Sequence, residues 1–302
     1  MKKIYTYIIT LTIIIFISCE KDIILKIDNV EIKQVINCYI NENTRIQIYI
    51  SKSKAIDDNS SIEFISNATV QLYEDGVFIE NMQYILENPS NNLGFYLSNY
   101  EAKANHTYKI ISTVENMKTI EATEFLPPKV TISNYRLIQY PDTIDRNRKG
   151  ILKFNIEDDG NIDNFYVIDL YESIKTSSID SLGDSISQIN NSGSYFKIID
   201  FSENESYDRR FIDDKKFNGT SKEFTIEFNG NVFNGSNILE QKIVLRISNV
   251  GKGYFDYFYS LQKNRGGVSN NNKEPISAIS NINGGYGHFS SDNFKTYSIK
   301  IQ

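Results

Sequence analysis

Apolar and polar residues alternate with period two over most of this chain. Thr44–Ser51 places Ile46, Ile48 and Ile50 on one face and Arg45, Gln47 and Tyr49 on the other, the pattern of a half-buried strand. Ala68–Glu74 turns Val70 and Leu72 inward, Asp75-Gly76 makes a hairpin turn, and Val77–Met82 returns. Tyr108–Val114 and Lys118–Phe125 form a second hairpin around Glu115-Asn116-Met117. Pro127-Pro128 then interrupts the ladder, because neither residue can donate a backbone hydrogen bond. Beyond it the pattern predicts strands at Val130–Gln139, Ile151–Glu157, Phe165–Tyr171, Tyr195–Phe201, Glu223–Phe228, Lys242–Asn249 and Lys295–Ile301. Residues Ser173–Ser194 are rich in Ser, Asp and Asn and read as a long loop or a loose hairpin.

The period changes at two places. Gly251–Gly267 repeats aromatic residues at helical spacing (Tyr254, Phe258, Leu261) and ends on paired glycines, which predicts a helix over 252–265. Its apolar side chains span an arc of roughly 200°, wider than the ~100° a helix needs to pack on one sheet. Phe255 and Tyr259 therefore require a second cover. The sequence offers Tyr286 and Phe289, folding back from the glycine-rich segment, or a docking partner. The other departure is the N-terminus. Lys2-Lys3 precede a 14-residue apolar run, Ile4 to Ile17, too short for the ~20 residues of a membrane span. Ser18-Cys19 follows it, as in a bacterial lipoprotein signal, with cleavage before Cys19 and acylation of its thiol; Phe16 departs from the usual leucine.

These elements predict an all-β protein of two β-sandwich-like domains with one short aromatic helix. The expected organisation is a signal peptide at 1–18, a tether at 19–29, an immunoglobulin-like sandwich at 30–127 and a second sandwich at 128–302. Cleavage removes two positive charges, Lys2 and Lys3, and moves the formal charge from −6 to −8. No basic stripe with interleaved aromatics offsets that charge, so nucleic acid is not an expected partner. Two acyl chains on Cys19 would make the anchoring stable. The only other cysteine, Cys38, falls in an alternating apolar run and reads as a small buried residue.

The titratable residues form no recognisable catalytic constellation in the sequence. The two histidines, His106 and His288, stand in no nucleophile motif: the first reads as a turn residue, the second as bonded locally. Two histidines and one remaining cysteine fall short of an ordinary zinc set, so neither metal nor cofactor is expected. The acidic stretch Glu157–Asp163 reads as a polar turn, with weak calcium binding as the alternative. Asp57-Asp58 and Asp213-Asp214 read as loop charges. The glycines at 284, 285 and 287 precede no Lys-Ser/Thr pair and open no helix, which excludes a phosphate loop.

The C-terminal third carries a resemblance. Tyr254–Gln262 resembles the aromatic helix of the Bacteroidota outer-membrane lipoproteins catalogued as domain of unknown function 4249. Ile279-Ser280-Asn281-Ile282, Gly284-Gly285-Tyr286-Gly287 and Phe289 resemble its "SNI…GG-G-F" signature, and Phe217-Asn218-Gly219 its "FDG" segment. The resemblance implies an accessory lipoprotein of a TonB-dependent outer-membrane transporter, and it carries over no catalytic residue. Lys21-Asp22 after Cys19 resembles the export signal that sends such lipoproteins to the cell surface, with the periplasmic face as the alternative. The function expected is thus a non-enzymatic docking accessory at the outer membrane. A structural or adhesive surface protein and a hydrolase acting through Asp and Glu are the alternatives.

Overall fold

The computed structural model describes residues 31–90, 92–139, 149–179, 184–194, 196–199, 209–229, 237–267 and 277–300. The lipidation and export residues Cys19, Lys21 and Asp22, and the signal peptide itself, lie outside these. The first half supplies eight strands: β1 (Gln34–Ile40), β2 (Arg45–Lys52), β3 (Thr69–Glu74), β4 (Val77–Asn81), β5 (Gln83–Asn88), β6 (Leu93–Glu101), β7 (His106–Thr113) and β8 (Ile120–Leu126). After the diproline come β9 (Thr131–Gln139), β10 (Gly150–Glu157), β11 (Phe165–Ile179), β12 (Ser185–Gly193), β13 (Phe196–Ile198), β14 (Arg209–Asp213), β15 (Ser221–Phe228) and β16 (Ile238–Val250). Helix α1 (Lys252–Gly267), the short β17 (Ile282–Asn283) and β18 (Tyr286–Lys300) complete the chain. The protein is all-β with one aromatic helix near its C-terminus.

Three sheets enclose two cores. A nine-stranded sheet runs β12-β11-β16-β18-β1-β2-β6-β5, with β14 also paired to β11. Its β1-β2-β6-β5 end faces the five-stranded sheet β17-β8-β7-β3-β4. Between them lie Ile36, Ile48, Tyr96, Tyr108, Ile110 and other apolar side chains. Its β11-β16 end faces the four-stranded sheet β13-β15-β10-β9 around Leu152, Phe154, Tyr166, Phe224 and Leu245. Tyr96 keeps its hydroxyl satisfied inside the first core by donating to the Ile65 carbonyl at 3.0 Å. The cores divide at Pro127-Pro128, where the sequence pattern breaks. Both proline carbonyls accept hydrogen bonds from buried asparagines, Asn293 at 2.9 Å and Asn249 at 3.1 Å, so the turn carries no orphaned acceptor.

Strand β18 belongs to both halves. Residues 286–291 pair in parallel with β1, and residues 292–300 pair antiparallel with β16. The sequence pattern placed Ile282 and Phe289 beyond the diproline, with the second half; both side chains lie in the first core. The last strand, expected near Lys295–Ile301, begins already at Tyr286 within the glycine-rich segment. Of the two readings of Ser173–Ser194, a long loop or a loose hairpin, the structure has the hairpin, β11–β12, with every residue of β12 exposed.

Two glycines permit the β1–β18 pairing. Gly284 and Gly287 sit at φ +85° and +95°, where a Cβ is strained, and a Cβ on Gly287 would lie 1.9 Å from the Ile36 carbonyl oxygen. Gly287→Ala should therefore cost more than about 2 kcal/mol, against about 1 kcal/mol for Gly76→Ala, where φ is +82° but no atom crowds the added Cβ. Urea unfolding of the two variants checks the contrast.

Candidate functional site

Helix α1 begins where β16 ends. Gly251 acts as its N-cap: its carbonyl accepts from Phe255 N–H at 3.1 Å, while its own N–H donates to Ser291 Oγ at 3.0 Å. The amides of Gly253 and Tyr254 have no partner inside the helix, and they donate to the carboxylate of Glu124 on β8. Glu124 also accepts from the Phe125 N–H at 3.1 Å. A side chain from the first half thus caps a helix from the second. The close approach demands glycine at both ends of the contact. A Cβ on Gly251 or Gly253 would fall 2.0 or 2.2 Å from a Glu124 carboxylate oxygen.

Glu124 is 4% exposed. Burial pushes its pKa up to about 8, against the three amide hydrogen bonds that favour the charged form; the nearby Asp256 carboxylate adds to the rise. Beside it opens a pocket of about 480 Å³, bounded by Thr107, Phe125, Asp163, Phe165, Lys252 and Asp256 among others. The pocket combines apolar wall with carboxylate and hydroxyl groups, the make-up of a small-ligand site.

The SNI segment closes the far side of this junction. Ser280 Oγ donates to the Gly287 carbonyl at 2.7 Å. The Asn281 amide pairs with both backbone groups of Phe289, donating at 2.7 Å and accepting at 3.0 Å. Ile282 enters the first core. Ser260 on the helix takes the Ile279 N–H at 3.0 Å. Ile279, Ser280, Asn281 and Ile282 thus fasten the chain's return from α1 to β18.

The structure separates the four aromatic residues that the sequence grouped. Phe255 and Tyr259 lie together, ring centroids 5.5 Å apart, and are covered by Phe165 on β11 and Phe211 on β14. The expected cover from Tyr286 and Phe289 does not form. Phe289 is fully buried in the first core, and Tyr286 is 44% exposed with the Lys33 ammonium over its ring. Strand β18 runs on the helix's other flank, so its side chains meet the opposite arc. There Tyr254, Tyr257 and Phe258 surround Tyr39 and His288, with Tyr39 stacked on Phe258 at 5.7 Å.

His288 is buried, its Nδ1 2.9 Å from Ser290 Oγ, with a further hydrogen bond to the Cys38 backbone. Burial lowers its pKa to about 4, so the ring is neutral. His106 instead lies at the surface against Asp75, whose other oxygen accepts the Thr107 N–H. The acidic stretch 157–163 is tied down as a turn: Asp158 accepts from Tyr166 Oη at 2.6 Å and Gly219 N–H at 2.7 Å. Asp214 accepts the Asn164 N–H at 2.6 Å. Among the described residues, no three His, Cys, Asp or Glu gather as a metal site. Asp169 bridges Arg209 and Arg246, and Arg246 also reaches Asp292, on the face that carries the helix.

Sequence reading missed Glu124 and this charged chain. For Glu124 a signal was present. In Ile120, Ala122, Glu124, Leu126 the alternation puts a carboxylate in the inward register, where it needs an internal partner. The links of the charged chain span 40, 46 and 77 positions, and no local pattern announces them.

A two-core β-sandwich protein with a helix clamped between its halves is the class that this fold and junction define. The chain matches the family described as "Domain of unknown function (DUF4249)" over residues 20–298, and it belongs to that family. Among curated proteins none matches it.

The buried carboxylate gives a pH signature. Between the ordinary pKa near 4.5 and its folded value near 8, the folded chain holds a proton that the unfolded chain has released. Stability from this group is therefore full below about pH 4.5 and falls as pH rises through 8. Glu124→Gln should flatten that loss, seen as a urea midpoint varying less between pH 5.5 and 8.5 than in the parent. Phe255→Ala, opening a gap against Phe165 and Phe211, should cost about 2–4 kcal/mol; thermal unfolding measures it.

Proposed function

We propose that this protein is a non-enzymatic docking accessory, acylated on Cys19, tethered to the outer membrane and partnered with a TonB-dependent transporter. The first sandwich, immunoglobulin-like in this reading, stands at the cell surface through the Lys21-Asp22 export signal. The observation that carries docking is the open side of that sandwich. The chain crosses between its two sheets there, from β4 to β5, and leaves Val77, Phe78, Ile85 and Leu86 exposed on consecutive edge strands. Exposed apolar edges of this kind are pairing and docking surfaces.

Support for a binding role over catalysis comes from how the buried and half-buried titratable groups are used. Glu124 caps a helix, Asp169 bridges two arginines, and His288 is enclosed by aromatic rings. Each is engaged in holding the fold together.

Phe78→Asp with Leu86→Asp should leave thermal stability within about 1 kcal/mol of the parent, because both side chains already face water. The same pair should abolish recovery of a large β-barrel from detergent-solubilised membranes. Normal co-purification by the stable double variant would refute docking through this edge, and binding of a matrix polymer with no barrel would favour the adhesive alternative. Cys19→Ala should release the protein from the membrane fraction; a variant still integral to the membrane would refute acylation as the anchor.

A further inference from the structure

At the opposite end of the nine-stranded sheet, β12 forms an edge of a different character. Its nine residues, Ser185–Gly193, are all exposed, and on its inner side it pairs with β11 from Tyr171 to Ile179. Long exposed edges are ordinarily blunted by lysine, proline or a bulge. Strand β12 has no charged residue and no proline, and its pairing to β11 runs without a register shift. Ile189 stands at the middle of the strand and is 65% exposed.

We infer that β12 is a self-association edge, and that its partner is the β12 of a second copy, paired antiparallel about a two-fold axis through Ile189. The sequence fits itself in that register. Ile189 faces its own copy, Gln188 faces Asn190, Ser187 faces Asn191, and Ile186 faces Ser192. An apolar pair lies at the centre, amide and hydroxyl pairs flank it, and no charge meets a like charge. An acidic protein with a net charge of −6 meets its copy here along a strand that contributes none of that charge. The two-fold makes the contact isologous, so it closes at two copies and does not propagate. A single strand pair buries less than the ~800 Å² per partner of a standard interface, so the dimer is concentration-dependent. This edge is separate from the β4–β5 side assigned to docking.

Cysteine scanning tests the register in the full chain carrying Cys19→Ser, with Cys38 buried and unreactive. Under mild oxidation Ile189→Cys should cross-link to a covalent dimer, because the register sets residue 189 opposite itself at disulfide distance. Gln188→Cys alone and Asn190→Cys alone should not cross-link, whereas an equimolar mixture of the two should. Ile189→Lys should shift the uncrosslinked protein to monomer in light scattering at concentrations where the parent dimerises. Three results would overturn the inference: no cross-link through residue 189 in a folded variant, self-linking of Gln188→Cys as fast as Ile189→Cys, or cross-linking of residue 189 to a different protein only.

Discussion

The amides at the start of helix α1 have no partner within the helix, and they need an acceptor at the junction of the two sandwiches. Glu124 supplies it from the other side of the diproline. Much else in the junction follows from that need. Positions 251 and 253 must be glycine so that the carboxylate can approach. The helix must start at the end of β16, where Ser291 receives the Gly251 N–H. An unsatisfied helix end at this depth would cost several kcal/mol, comparable with the net stability of a domain. The capping contact is therefore a structural condition for the helix, and the helix in turn packs its rings against Phe165, Phe211 and Tyr39.

Strand β18 extends the same logic along the backbone. Its first half completes the first core through Phe289, and its second half continues the sheet of the second core alongside β16. The chain reaches it through Ser280, Asn281 and Ile282, each bonded or buried at one defined point. Ser280, Asn281 and Ile282 thus act at the seam between the cores.

Much of this was legible in the sequence, and the exceptions have physical causes. Period-two runs exposed the sandwich strands with one wet face, such as β2 and β3. The single stretch of helical period found α1 to within two residues. The hairpin at Asp75-Gly76 was readable because both residues take positive φ, which that dipeptide tolerates. Strand β12 was legible only as one of two alternatives, a loose hairpin beside a long loop, because with both faces in water it shows no alternation. The cover for Phe255 was misassigned to the nearest aromatic residues in sequence, whereas Phe165 and Phe211 reach it through sheet pairing ninety and forty-four positions away. Glu124 was a signal left unused: an inward carboxylate in an otherwise apolar register.

One shared strand and one cross-capping carboxylate imply that the two cores open together. Native-state hydrogen exchange read by mass spectrometry measures this directly. The account predicts that the slowest amides of β1–β2 and of β11–β16 exchange with the same opening free energy, and that Asn281→Ala lowers both by the same amount. Distinct opening energies for the two cores, with Asn281→Ala affecting only one of them, would contradict it.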